Sequence, residues 1–331
     1  MNVAALRFQE PERIAWGPQR QIPPYYLSVA SQDLKERQAR WEKERGAKRD
    51  RPKKKPWNAP AAHEPSAGRI LYIGTQGQVL ADTSQDFVHG LLPHTNGMLV
   101  AQHHHIHHFA PDLTPMDTFA RHNSLNDIHT LRKTKHGILI AASGTDTLLE
   151  MSADGTRVLW EWWAHEHGFE VDHFGDRRVV DKNEDHREML YPTWLHTAHV
   201  NSAIELPDDS IVATFFMQGI VGNIDRTSGE VVTLVENLRR PHALRATCAG
   251  NITFADTARG VAHLVTSDFK PLQEVSIDTN WLQDCQLHDD LWILVDAQHA
   301  RVYFADDTGT VFAYDQFDEN WDFFEVAVAP R

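Results

Sequence analysis

The sequence predicts an all-β chain folded as a propeller of four-stranded blades, and three observations carry that expectation. Beyond Gly68, short runs rich in Val, Ile, Leu and aromatic residues recur between Gly, Asp and Asn turns, which is the signature of antiparallel strands. The runs group into units of roughly 40 residues with four strands each, the length and content of a propeller blade. The third turn of a unit tends to be a hairpin dipeptide, as at Asp154-Gly155 and Ser228-Gly229.

Taken in order, residues 1–67 read as a charged N-terminal arm. Ser31–Gly46 has strong helix formers and ends on a glycine, so a short helix is expected there, and the Pro-rich stretch from Arg49 to Gly68 is expected to be extended. The propeller is expected over residues 68–331. Its clearest units are Asp127–Trp163, Ala198–Glu236 and Arg240–Ile277, with weaker copies at Val88–Phe119 and Asp284–Phe317. That makes five blades. The strands within Arg69–Thr83 and the C-terminal Trp321–Val328 are left over and could close the ring as a sixth. Residues 164–194 form an insertion long enough to be expected to serve function, as a lid over one end of the channel. Trp160, Trp162 and Trp163 end a unit and read as packing between blades.

Composition narrows the function. The formal net charge is -14, yet Ser31–Trp57 holds 11 Lys/Arg against 5 Asp/Glu, so the rest of the chain carries about -20. An acidic body argues against nucleic acid as a partner, and a solvated arm is the plain reading of the basic stretch. No apolar run approaches the length of a membrane span. No basic and apolar leader opens the chain, and there are two cysteines, Cys248 and Cys285. A cytoplasmic protein acting on a small molecule is the expectation, with no membrane partner. The oligomeric state is not legible.

The most informative feature is histidine, 21 of 331 residues. When the units are aligned on their second strands, His89 lies nine residues before Met98, His129 nine before Ile138, His199 twelve before Ile211, and His242 ten before Ile252. Asp284 holds the matching place nine before Ile293. These positions open the innermost strands, whose first residues converge at one channel mouth. Imidazoles from several blades could there share a transition metal, Fe(II) before Zn or Cu, with Asp284 orienting one ring through its other N–H. The connections at that mouth also carry His196, His122, His299 and the run from His103 to His108. His196, Asn201 and His105 are the candidate catalytic residues. His94, His136 and His288 fall on turns at the opposite end.

The units at Trp194–Thr214, Ile224–Val232, Thr147–Trp162 and Arg240–Asp256 resemble those of the arylsulfotransferase-like propellers, over roughly residues 120–270. That resemblance implies a histidine nucleophile that carries a sulfuryl group between phenols, with His242 in that role and His199 and Asn201 holding the anion. An architectural parallel without a sequence match is the carotenoid-cleaving oxygenases, whose propellers hold iron on four histidines from different blades. The leading expectation is a metal-dependent propeller enzyme with non-heme iron oxygenase or lyase-type chemistry. Group transfer through a histidine, and a non-catalytic binding propeller, are the alternatives.

Overall fold

The computed structural model describes residues 10–16, 20–33, 61–62, 67–172 and 174–330. Six antiparallel four-stranded sheets stand around a central channel. Their innermost strands are Leu91–His94, Ile128–Lys133, Val200–Glu205, Pro241–Ala246, Leu282–His288 and Asp322–Val328, for blades one to six in that order, and these neighbour one another in a closed cycle. Secondary structure among the described residues is otherwise limited to four single 3-10 turns, a two-stranded ladder, one isolated bridge and an extra edge strand on blade five.

Strand alternation explains the packing. In blade two, Ile138, Ile140 and Ala142 of the second strand face blade one, while Leu139 and Ala141 face blade three. Both faces of the sheet are therefore buried, and the strand reads as a continuous apolar run. The same division repeats around the ring: six apolar clusters occupy the six seams between adjacent blades. The tryptophans act as expected, since Trp162 packs on Phe215 of blade three and its indole N–H donates to Gly229 O at 2.9 Å. Trp160 likewise donates to Arg226 O at 3.0 Å.

The sixth blade settles the blade count and moves the arm boundary. It is built from both ends of the chain, in the order Asp322–Val328, Tyr25–Ser31, Ala67–Ile73 and Val79–Asp86. Tyr25 pairs with Val328 and Tyr26 with Ala327, so the chain ends lock the ring. Within the stretch expected to be an arm, Tyr25–Ser31 is instead a blade strand, every residue of it buried. Glu12–Ala15 adds a fifth strand to blade five, where Arg13 meets Asp315 at 2.6 Å through both carboxylate oxygens. The helix expected over Ser31–Gly46 lies beyond Asp33 in residues outside those described.

The insertion at 164–194 is tied down. Arg178 is buried against Asp146 at 2.5 Å, and Met189–Leu190 pairs with Ala61–Ala62. Deleting the segment would strand Asp146 without its cation, so the segment is part of the scaffold.

Candidate active site at the histidine mouth

The innermost strands of blades two, three and five each open with a bulge. Ile128 pairs with Ala142 but Thr130 with Ala141, Val200 with Phe215 but Ser202 with Thr214, and Leu282 with Asp296 but Asp284 with Val295. The extra residues are His129, Asn201 and Gln283. In blade four the irregularity follows His242. A bulge re-aims the side chain that it displaces. Just before the strand, Asp127, His199 and Arg240 adopt left-handed backbone with φ of 48°, 48° and 61°. Such backbone is unusual outside glycine and tends to mark functional sites.

This ladder corrects the alignment made from spacing. His199 sits in the place of Asp127, and Asn201 in the place of His129. Counting back through a longer hairpin concealed the two-residue offset. The bend at His199 nevertheless returns its ring to the cluster.

The rings form a crown. Centroids are 5.2 Å apart for His89 and His129, and 4.8 Å for His129 and His199. Phe216 then stands between His199 (4.7 Å) and His242 (5.3 Å), and Trp281 lies 6.2 Å beyond His242. Phe324 stacks on His89 at 3.9 Å.

Hydrogen bonds fix the tautomers, because a main-chain carbonyl can only accept. His89 Nδ1 donates to Ile128 O at 3.1 Å, His129 Nδ1 to Asp127 O at 2.9 Å, and His242 Nδ1 to Arg240 O at 2.9 Å. His196 Nε2 donates to Tyr191 O at 2.9 Å, so its Nδ1 accepts, and His199 Nδ1–H supplies that bond at 2.6 Å. The result is the same in every case: His89, His129, His199 and His242 carry their lone pair on Nε2. For the last three, Nε2 has no hydrogen-bond partner among the described residues.

Burial disfavours the charged form of His196, His199 and His242. It pushes His196 down to about 4 and His242 down to about 3, with the His129 charge adding to the latter. His199 is held well below the ordinary value by burial and by its imidazole neighbours. Asp127 is the site residue that spacing missed. Its carboxylate accepts no hydrogen bond among the described residues and lies 3.7 Å from Nδ1 of both His89 and His129. Burial works to raise it, but the surrounding imidazoles, His129 foremost, hold it at about 2. The signal in the sequence was the Asn126-Asp127 pair, a turn former where left-handed backbone is needed.

The groups able to hold an ion are His89, Asp127 and His129, and Asp127, His196 and His199, with ligand atoms within 4.8 Å of one another in each. The expected quartet of His89, His129, His199 and His242 is therefore not one group, because Phe216 separates His242 from His199. Asp146 fixes the His199 bend by accepting from its main-chain N–H at 2.5 Å and from Thr197 N–H at 2.8 Å.

Three other expected site residues are placed elsewhere. Asn201 is a seam residue: its amide donates to Pro241 O at 3.1 Å and its oxygen accepts from Thr214 Oγ1 at 2.6 Å. Asp284 orients no imidazole. It is one residue past the bulge and binds Arg245 Nη2 at 2.7 Å and Val326 N–H at 2.8 Å. His105 packs on His104 (3.9 Å) and near His107 (5.6 Å), and burial and its charged neighbours push it down to about 4. The member of the run that approaches the crown is His103, 5.3 Å from Phe87, which in turn lies 4.6 Å from His89. Met189 O accepts from His103 Nε2 at 3.0 Å, so the insertion does reach the rim of the mouth.

Below the crown the channel is plugged by charge. Glu325 Oε1 lies 2.7 Å from Arg132 and 2.7 Å from Arg245, and its other oxygen accepts from Leu91 N–H at 2.7 Å. No helix among the described residues is long and apolar enough to cross a membrane.

Comparison with known proteins finds no matching family model and no curated relative. Among solved structures, a protein of unknown function from Bacteroides caccae is similar with a TM-score of 0.60 at 10% identity, covering 92% of this chain and 98% of that one. A nidogen/laminin complex gives 0.56 at 10% identity, covering 92% and 97%. Virginiamycin B lyase from Staphylococcus aureus gives 0.46 at 12% identity, covering 68% and 69%. At such identities the likeness is one of fold, and the fold of this chain is a six-bladed β-propeller.

Proposed function

We propose that the histidine mouth is the active site of a metal-dependent enzyme acting on a small molecule, with His89, Asp127 and His129 holding one divalent transition metal ion. The observation that carries this reading is the uniform tautomer. Ligating histidines usually donate their second N–H to a carbonyl or carboxylate, which leaves a lone pair for the ion; His89, His129 and His242 are held that way by main-chain carbonyls and His199 by the His196 ring, around a carboxylate that accepts no hydrogen bond among the described residues. Two imidazoles and one carboxylate are the ligand set of non-heme iron oxygenases, so Fe(II) is the first metal to test and Zn or Cu the next. A bound ion would supply Lewis acidity and an open coordination position. His199, whose Nδ1–H is held by His196, would offer Nε2 as a base or a further ligand. Arg240, 5.1 Å from the Trp281 ring and 5.8 Å from Phe216, would face the substrate. The two free cysteines support a reducing, cytoplasmic setting.

A second reading, arylsulfotransferase-like group transfer, is favoured by His242 alone. Its Nε2 is uncommitted and it stands apart from both ion-binding groups.

The test is metal analysis of untagged protein loaded anaerobically with Fe(II) and then desalted. About one ion per chain is expected, and Asp127→Ala or His129→Ala should lower retention at least ~10-fold, since each removes a direct ligand. Equal retention by both variants would overturn the metal reading. An acid-labile adduct on His242 would instead support the second.

A further inference from the structure

The other end of the channel holds a second cavity, of about 250 Å³, walled by the closing residues of the innermost strands of blades two to five. It lies beyond the Arg132–Glu325–Arg245 plug and shares no residue with the histidine crown. Four of its lining residues present a buried polar atom with no hydrogen-bond partner among the described residues: Arg132 Nη2, Thr253 Oγ1, Gln286 Oε1 and His288 Nε2. Buried polar atoms are otherwise almost always satisfied, and each one left alone costs about 1–3 kcal/mol. Thr253 is fully buried and Arg132 is 8% exposed, so bulk water does not account for them. Four such atoms on one small cavity are a built site.

The atoms also define what fits. Arg132 Nη2 and the Thr253 hydroxyl can donate, while Gln286 Oε1 can only accept. Arg132, Lys133 and Arg245 contribute positive charge to the walls. The sole carboxylate among the lining residues, Glu205, is already bound to Arg226 at 2.7 Å and to Lys135 N–H at 2.7 Å. We infer that this cavity binds a small hydroxycarboxylate, its carboxylate on Arg132 and Thr253 and its hydroxyl donating to Gln286. The volume admits only a small ligand. Because the plug separates the two ends, this inference does not depend on the metal reading.

Cys248 supplies the readout. It lies on the cavity wall and is exposed, whereas Cys285 is fully buried with its thiol pushed up by that burial, so iodoacetamide reports on Cys248 alone. The probes are L-malate and succinate, which differ by one hydroxyl. Saturating malate should slow alkylation at least ~5-fold, and succinate should require about ten times the concentration for the same protection. In Thr253→Val, the half-protecting malate concentration should rise about 10-fold. Absence of protection by either acid, a cavity that takes water only, would overturn the proposal, as would equal protection by malate and succinate. Should the variant fail to fold, the malate and succinate contrast on the natural protein decides alone.

Discussion

The crown and the plug are built on the same six strands, yet they use polar residues in opposite ways. In the plug every carboxylate is consumed: Arg245 Nη2 lies 2.7 Å from both Asp284 and Glu325, and Glu325 also serves Arg132 and a main-chain N–H, while the leftover donor, Arg132 Nη2, belongs to the wall of the second cavity. In the crown, a few residues closer to the mouth, His129, His199 and His242 spend Nδ1 on their surroundings and keep Nε2 without a hydrogen-bond partner among the described residues, where Asp127 likewise accepts nothing. Burial is similar at both ends. Leftover hydrogen-bonding capacity therefore separates chemistry from scaffold on this strand framework better than burial, residue type or place on the strand.

The plug should break hardest. Glu325→Ala would leave Arg132 and Arg245 facing each other with one buried carboxylate fewer, and the expected loss is about 3–5 kcal/mol of stability. Urea denaturation measures it. A loss below about 1 kcal/mol would mean that the two guanidinium groups find water in the channel, and the contrast with the crown would collapse.

The crown should instead respond to acid. In metal-free protein His196 and His242 titrate at about 4 and about 3, and His199 lies well below its ordinary value, whereas in the unfolded chain all three take up protons near 6.5. Their folded values are depressed, so the stability they contribute is fully present above 6.5. It falls as the pH drops from there towards the folded values, because in that window the unfolded state binds more protons. Around pH 4.5 the expected cost is about 2 to 3 kcal/mol per imidazole. His242→Gln should flatten the urea midpoint against pH, and a midpoint unchanged between pH 7 and 4.5 would show that the folded crown accepts protons freely.

Much of the fold was legible because blades two to four are local: four strands, short turns and alternating apolar residues in one stretch of chain. Blade six was not, because Tyr25–Ser31 meets Asp322–Val328 only after the whole ring has formed, and in sequence it lies beside a charged stretch that reads as an arm. The crown histidines were legible by residue type and spacing. Asp127 was hidden because its role comes from a left-handed bend rather than a period. Asn201 and Asp284 were misassigned because their partners, Pro241 and Thr214 for one and Arg245 and Val326 for the other, are 13 to 42 residues away in sequence.

Asn201 and Asp127 provide the finest test, since both open innermost strands beside His199 or His129. Asn201→Ala removes a donor from Pro241 O and an acceptor from Thr214, so it should cost about 1–3 kcal/mol of stability and leave metal retention unchanged. Asp127→Ala removes a carboxylate that accepts no hydrogen bond among the described residues and breaks none of the seam bonds, so at pH 7 stability should change by less than in Asn201→Ala while metal retention falls. Parallel measurement of urea midpoint and bound metal on the two variants gives opposite patterns if leftover capacity marks function. If both variants lose stability and metal together, the mouth is one cooperative scaffold, and the distinction drawn from their hydrogen bonds does not hold.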